Sequence, residues 1–170
     1  GIDIRRRTQD VDFAIMVGDW AAFIELRKSL ISSGGFVEAG SKVMHKLRHA
    51  ATGMPLDIVA FGGVERADRT IAWPPEDAEI FDCFGVREAF ATSVQAILSG
   101  GVCVRVASIA ALAILKLTAW RERKYSHPGR DAGDLFLYMR HYLTCGNLDR
   151  CASAHADLLE TDDFDYETAG

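Results

Sequence analysis

The sequence predicts an α/β (α+β) fold, in which a small mixed or antiparallel sheet is flanked by helices and followed by C-terminal helices. Three observations lead to this prediction. Short β-prone runs bounded by glycine, proline or aspartate recur before residue 108. A helical pattern at 20–31 separates the first of these runs from the next. Apolar helical patterns without strand signals fill most of the chain after residue 108.

Composition and charge narrow the class of protein. The chain has 170 residues, which is long enough for one domain with a real core, with or without a helical appendage. No apolar run approaches the roughly 20 residues that span a bilayer, so we expect no membrane partner. The four cysteines lack C-x-x-C spacing, which favours free thiols and a cytoplasmic location. A net charge of −5 is untypical of a broad nucleic-acid binder, although residues 5–7 and 116–130 are locally basic.

The first strand is predicted at 11–17, and two aspartates stand at its start. Residues i and i+2 of a strand point to the same side, roughly 7 Å apart, so Asp10 and Asp12 aim their carboxylates at one place. Like charges held together are costly unless a cation lies between them. Mg²⁺, with Mn²⁺ as the alternative, suits carboxylates combined with substrate phosphates. The competing interpretation is a polar edge strand with two exposed acids.

A helix capped by Asp19 follows, and the predicted strands at 36–39, 42–48 and 54–61 come next. The last two flank a turn-like segment and therefore predict a hairpin. His45 and His49 would share one face of the first hairpin strand, as exposed histidines or, less expectedly, as a metal pair.

The second hairpin strand contains a single acid, Asp57, within an apolar run. An unpaired acid is expensive to bury. If this strand lies beside the first one, Asp57 becomes a third carboxylate of the cluster.

The remaining elements are predicted from turn signals and caps. The segment 62–75 is a loop with one short strand, 75–91 includes a short helix, and 94–98 with 102–106 forms a hairpin. Ser108 caps a helix at 109–124 that is apolar almost all round and is therefore expected to be buried. Further helices begin at residue 130 and at residue 148.

Lys116 lies within the apolar helix, and a lysine there must reach water, an acid or a phosphate. One interpretation pairs it with Asp131 or Asp134. The other is contact with a triphosphate near the acid cluster. Asp131 is also close to a helix N-terminus, where an acid is stabilised in any case.

The motifs together, in this order, resemble the nucleotidyltransferase superfamily with the polymerase-β-like fold, and within it the AbiEii-type toxin group. Four segments carry the resemblance: Thr8-Gln9-Asp10-Val11-Asp12-Phe13, Leu56-Asp57-Ile58-Val59-Ala60-Phe61-Gly62, the L-K-x-x-A-x-x-x-R run from Leu115 to Arg123, and Arg130-Asp131-Ala132-Gly133-Asp134-Leu135.

The resemblance implies roles for these residues. Asp10, Asp12 and Asp57 would be the catalytic, metal-binding acids. The nucleotide would be bound by Thr8, Lys116, Arg123 and Asp131.

The resemblance also implies a domain organisation. Residues 1–107 would form the catalytic core, 108–160 a helical segment packed on it, and 161–170 an acidic tail. The superfamily carries a Gly-Gly, Gly-Ser or Gly-Ala helix start shortly before the acid pair. No such pair stands between Gly1 and Asp10, so we expect this element to be either missing from the sequence or degenerate.

The expected activity is Mg²⁺-dependent transfer of a nucleoside monophosphate from an NTP to a hydroxyl of RNA, tRNA or protein. The expected setting is a toxin–antitoxin or abortive-infection system with an antitoxin partner. Three alternatives stay open: a non-catalytic interaction protein with the same fold, a nucleotidyltransferase for a small molecule such as an antibiotic, and a metal-dependent hydrolase.

Overall fold

The structure is a computed structural model that describes residues 10–40, 43–75, 77, 79–127, 129–154 and 156–160. The chain divides between Arg87 and Glu88 into two compact units. Helices and small mixed sheets confirm the predicted fold class. The catalytic core at 1–107 and the helical segment at 108–160 stay predictions, because compactness does not say where a catalytic part ends.

The first unit is built on a four-stranded sheet in the order β1-β4-β3-β2. Strand β1 runs parallel to β4, whereas β3 is antiparallel to both β4 and β2. Two further strands, β5 and β6, form a separate antiparallel pair. The elements are β1 (Val11–Val17), α1 (Trp20–Ser32), β2 (Phe36–Glu38), β3 (Lys46–His49), β4 (Pro55–Gly62), β5 (Thr70–Ala72) and β6 (Ile80–Asp82).

The predicted strand at 11–17 and the helix that follows it are confirmed. Helix α1 begins where Asp19 accepts a hydrogen bond of 2.8 Å from the Ala22 backbone amide. Strand β3 is shorter than predicted, because residues 44–45 form a turn, and β6 was not predicted.

Strand β4 separates the two faces of the sheet. Leu56, Ile58 and Ala60 point to one face and are buried. They pack with Phe23 of α1 and with other apolar side chains: Leu47, Ile71, Trp73 and Cys83. Because side chains alternate along a strand, Asp57 points to the opposite face.

His45 corrects a sequence-based expectation, because it is buried and lies in the turn before β3 rather than on an exposed strand face. Its ring packs on Trp73 and Phe81, with centroid distances of 5.1 and 4.8 Å. Burial lowers the pKa of His45, which keeps the ring neutral at neutral pH. His49 is half-buried and hydrogen-bonds to Thr52.

The ends of β1 and β4 meet at glycines. The backbone amide of Gly63 donates to the carbonyl of Val17 (2.8 Å). A Cβ atom at Gly63 would overlap the backbone carbonyl of Gly18. The two strands can therefore approach this closely only because residue 63 has no side chain.

A buried carboxylate holds the chain beyond β4. Glu65 accepts hydrogen bonds from the Gly62 amide (2.8 Å), Arg69 (3.1 Å) and Arg87 (2.8 Å). Burial opposes ionisation of Glu65, but these hydrogen bonds outweigh it and its pKa is lowered. The turn after β4 is thus fixed by a charged group inside the first unit.

The second unit contains a hairpin followed by helices. Helix α2 (Val86–Ala91) crosses the division between the units. The elements after it are β7 (Val94–Ile97), β8 (Cys103–Val106), α3 (Ile109–Arg123), α4 (Arg130–His141), α5 (Leu148–Ala154) and α6 (Ala156–Leu159). A kinked segment, Leu143–Asn147, joins α4 to α5.

The prediction that the helix after Ser108 is buried all round is wrong. Its start is confirmed, since Ser108 caps α3 through the Ala111 amide. However, Ile114, Leu117 and Trp120 are exposed to 40%, 52% and 39%. An apolar composition cannot say which side of a helix will be covered.

The Gly63 contact generates the first prediction. Gly63→Ala should lower the free energy of unfolding by about 1–3 kcal/mol, because the new methyl group collides with backbone that cannot rotate away. Thermal or urea unfolding measures the change.

Gly18→Ala is the matched control, because a Cβ atom at Gly18 meets no atom within 4 Å. Its stability should stay within about 0.5 kcal/mol of the parent. Equal effects of the two substitutions would mean that the close approach of β1 and β4 is not what requires glycine.

Candidate active site

Two of the predicted catalytic acids are in-register partners on adjacent strands. Asp12 of β1 pairs with Asp57 of β4 in the parallel ladder. Neighbouring strands lie roughly 4.8 Å apart, and paired residues of a parallel ladder point to the same face. That face is opposite to the core. The structure therefore brings together the two carboxylates that the sequence could only place on separate strands.

Asp10 lies at a bend immediately before β1 and is half-buried. It precedes Asp12 by two residues, as the i, i+2 pattern requires, but it lies outside the ladder. Thr8 lies outside the described residues, as do the arginines of residues 5–7.

Lys46, which the sequence analysis did not assign to the site, lies beside Asp57 on the same face of the sheet. Lys46 of β3 is the antiparallel partner of Asp57, and its Nζ lies 3.6 Å from Asp57 Oδ2. The side chains of Lys46 and Asp57 are 48% and 26% exposed. The alternation of residues 42–48 already put Lys46 on the side opposite Leu47. What the sequence lacked was the register that sets Lys46 beside the acid.

The acids fit only some kinds of metal site. In the part of the chain that the structure describes, no group of three or more His, Cys, Asp or Glu side chains could hold a metal ion. The Asp12–Asp57 pair fits a different kind of site, because Mg²⁺ usually takes one or two carboxylates together with waters and substrate phosphates. The three-acid set with Asp10 stays a prediction.

An apolar cleft of about 210 Å³ is also present in the first unit. Its lining includes Val11, Phe13 and Leu56, which alternate with the acids along β1 and β4. The cleft therefore opens on the other face of the sheet and contributes nothing to the acid pair.

The other predicted site residues form a charged cluster in the second unit. Asp131 at the start of α4 is only 1% exposed. Arg123 of α3 holds it with two hydrogen bonds, Nε to Oδ2 at 2.8 Å and Nη2 to Oδ1 at 2.6 Å. The Arg123 hydrogen bond lowers the pKa of Asp131 against the opposing effect of burial.

Lys116 belongs to the same cluster. Its Nζ lies 2.6 Å from Asp134 Oδ2 and 3.7 Å from Asp131 Oδ1. This is the acid pairing that the sequence allowed as one of two interpretations of Lys116. Contact of Lys116 or Arg123 with a nucleotide stays a prediction.

Comparison with known proteins decides the family. Residues 1–167 match a family described as nucleotidyl transferase AbiEii toxin of type IV toxin–antitoxin systems. The chain belongs to the AbiEii family. The resemblance read from the motifs is thereby confirmed, and so is the assignment as a nucleotidyltransferase. No curated protein and no solved structure matches the chain.

The AbiEii assignment places the chain among toxins of toxin–antitoxin systems and so indicates an antitoxin partner. Among the described residues, no helix has the length and apolar character needed to cross a membrane.

The charged cluster generates a prediction for stability. Arg123→Met should lower the free energy of unfolding by about 2–3 kcal/mol, because it removes both short hydrogen bonds of the buried Asp131. Lys116→Met should cost about 1 kcal/mol or less, because its pairs are partly exposed. Urea unfolding at several pH values measures both variants.

The pH dependence follows from the lowered pKa of Asp131. A lowered pKa contributes stability above the unfolded value of about 4, and this stability is lost as the pH falls below it. The deficit of Arg123→Met should therefore shrink below pH 4. A deficit that is constant down to pH 2 would assign the loss to packing of the arginine stem instead.

Proposed function

We propose that this AbiEii-family chain transfers a nucleoside monophosphate from an NTP to a hydroxyl acceptor, with Mg²⁺ as cofactor. The observation that carries the proposal is the in-register pairing of Asp12 with Asp57 on the face opposite the core. Two carboxylates on paired residues of one face are ligands that Mg²⁺ takes together with waters and substrate phosphates.

The reaction is written as one displacement. The oxygen of the acceptor hydroxyl attacks the α-phosphorus of the NTP, and the bond from that phosphorus to the bridging oxygen of the β-phosphate breaks. Pyrophosphate leaves, and the acceptor keeps the nucleoside monophosphate. Asp57 accepts the proton of the hydroxyl or holds a second metal ion.

Asp12 and Asp57 would hold the metal, and Asp10 is added to this set from the i, i+2 pattern of the sequence. When bound, Mg²⁺ neutralises the triphosphate charge that builds up during transfer. Lys46 adds a fixed positive charge on the same face, next to Asp57. Its half-exposed ammonium can exchange Asp57 for a phosphate oxygen, because an exposed ion pair is weak.

The second unit's cluster divides into different roles. Lys116, whose side chain is 25% exposed, would steady the triphosphate, with Arg123 beside it. Asp131 is buried, so its support for nucleotide binding is indirect and consists of orienting Lys116 and Arg123. Thr8 is assigned to nucleotide binding from the motif alone.

The acceptor is proposed to be RNA, tRNA or a protein hydroxyl, as the family assignment to toxins supports. A small molecule is the alternative acceptor. The other alternative is a non-catalytic protein of the same fold, which would keep the sheet without needing both acids. The next experiment distinguishes this alternative from the enzyme.

Replacing the acids tests the proposal. In Asp10→Asn with Asp12→Asn, Mn²⁺ binding in the presence of a non-hydrolysable NTP should be lost, because the carboxylates that hold the metal are gone. Asp57→Asn should keep nucleotide binding and lose transfer. Calorimetry measures binding, and pyrophosphate release with a labelled NTP measures transfer.

Glu25→Gln is the matched control, since Glu25 is an exposed acid on α1, which packs on the core face of the sheet. It should bind and react as the parent does. Metal and nucleotide binding that survives in the double variant would remove the acid pair from the site and favour the non-catalytic alternative.

Lys46→Met tests whether Lys46 takes part in the site together with Asp12 and Asp57. With no nucleotide present, removal of the competing ammonium should tighten Mn²⁺ binding about two- to fivefold, the usual range for an exposed ion pair. The affinity for NTP should fall, because a phosphate contact is lost. If both affinities stay unchanged, Lys46 is a surface residue without a part in the site.

A further inference from the structure

Two exposed aromatic rings flank one lysine at the end of α3. Lys124 Nζ lies 4.9 Å from the ring centre of Trp120 and 5.1 Å from that of Tyr125. Trp120 and Lys124 are four residues apart on the helical turn, where the Lys124 amide donates to the Trp120 carbonyl (2.9 Å). The helix geometry thus sets this aromatic–lysine group in place.

The exposure of the rings is unusual for side chains of this size. Tyr125 is 89% exposed and Trp120 is 39% exposed. Large aromatic rings left in water lose the burial that normally stabilises them, so they indicate a surface that another molecule covers.

Lys124 gives this surface its positive charge, although the net charge of the whole protein is −5. Arg121, Glu122 and Arg130 are exposed and lie near Lys124 in sequence. Within the described residues, Lys124 forms no ion pair with a carboxylate, and its ammonium lies over the two rings. Arg123, by contrast, is committed to Asp131.

Aromatic faces combined with cations are the chemistry that binds single-stranded nucleic acid. Bases stack on the rings, and the lysine meets the phosphates. A duplex would fit poorly, because its bases are already stacked on each other. An apolar partner would instead use Ile114 and Leu117, the exposed residues that precede Trp120 on α3.

We propose that Trp120, Lys124 and Tyr125 form a binding surface for a single strand of nucleic acid. The proposal rests on the proposed function in one respect: the bound strand is the acceptor of the nucleotidyl group. It selects nucleic acid among the acceptors proposed above and adds the residues that would recognise it.

Binding is measured without NTP or metal, by fluorescence anisotropy with a labelled single-stranded RNA, DNA of the same sequence and the RNA duplex. Tyr125→Ala should weaken single-strand binding about five- to hundredfold, the range that corresponds to loss of one stacked base. Lys124→Met should lower the slope of log K against log salt by about 0.7, because one phosphate contact is lost. Tyr125→Ala should leave that slope unchanged.

Matched controls separate this surface from general charge and general apolar exposure. Phe136→Ala removes another exposed ring, Arg140→Met removes another exposed charge, and Leu117→Gln changes the apolar stripe of α3. All three should bind as the parent does. Duplex binding as strong as single-strand binding, or equal losses in the controls, would overturn the proposal.

The assay involves no chemistry, so its result is independent of the proposed reaction. Failure to bind any single strand, combined with transfer to a protein or small molecule, would overturn this surface and leave the proposed function intact. Single-strand binding without transfer to any acceptor would do the reverse. RNA and DNA that bind equally would show that the surface reads bases and phosphates rather than the sugar.

Discussion

The parallel pairing of β1 with β4 is the constraint on which the first unit depends. Because side chains alternate along a strand, a slip of one residue would exchange the two faces of β1. Ile58 and Ala60 can be buried on one face only if Asp57 lies on the other, and Asp12 follows through the register. The glycine contact beyond the strands and the buried Glu65 hold this register at its far end. The same strand register therefore determines both the packing of the core and the pairing of the two carboxylates.

Local signals in the sequence were sufficient for the strand at 11–17, the caps Asp19 and Ser108 and both predicted hairpins, because each depends on residues close together in the chain. Local signals could not predict packing between residues that are distant in the chain. Lys46 could be placed on a face but not beside Asp57, since register is set by the whole sheet. No local feature of the sequence around His45 shows that its ring is buried. The ring is covered by Trp73 and Phe81, which are distant from it in sequence.

The charged cluster of the second unit shows a similar limit. Its motif predicted that Lys116, Arg123 and Asp131 matter together, and the structure joins them through a short ion pair of Arg123 and a longer one of Lys116, both with Asp131. The sequence did not show that Arg123, rather than Lys116, carries the two-point contact to the buried acid. A planar guanidinium matches a carboxylate with two parallel hydrogen bonds, whereas an ammonium acts as a point charge. Arg123 therefore holds the two helices together, and Lys116 keeps more freedom to change partner.

The position of β1 in the sheet has a consequence for association between molecules. In the part of the chain that the structure describes, it is an edge strand, and Val11, Phe13 and Met16 on it are exposed to 37%, 48% and 60%. An exposed apolar edge is a template for pairing with the strand of another chain, and charged side chains are the usual protection against it. Asp12 supplies such a charge in the middle of the apolar run. The carboxylate proposed for the metal site thus also protects the edge strand against aggregation. Variants that neutralise Asp12 are therefore expected to aggregate more readily than the parent.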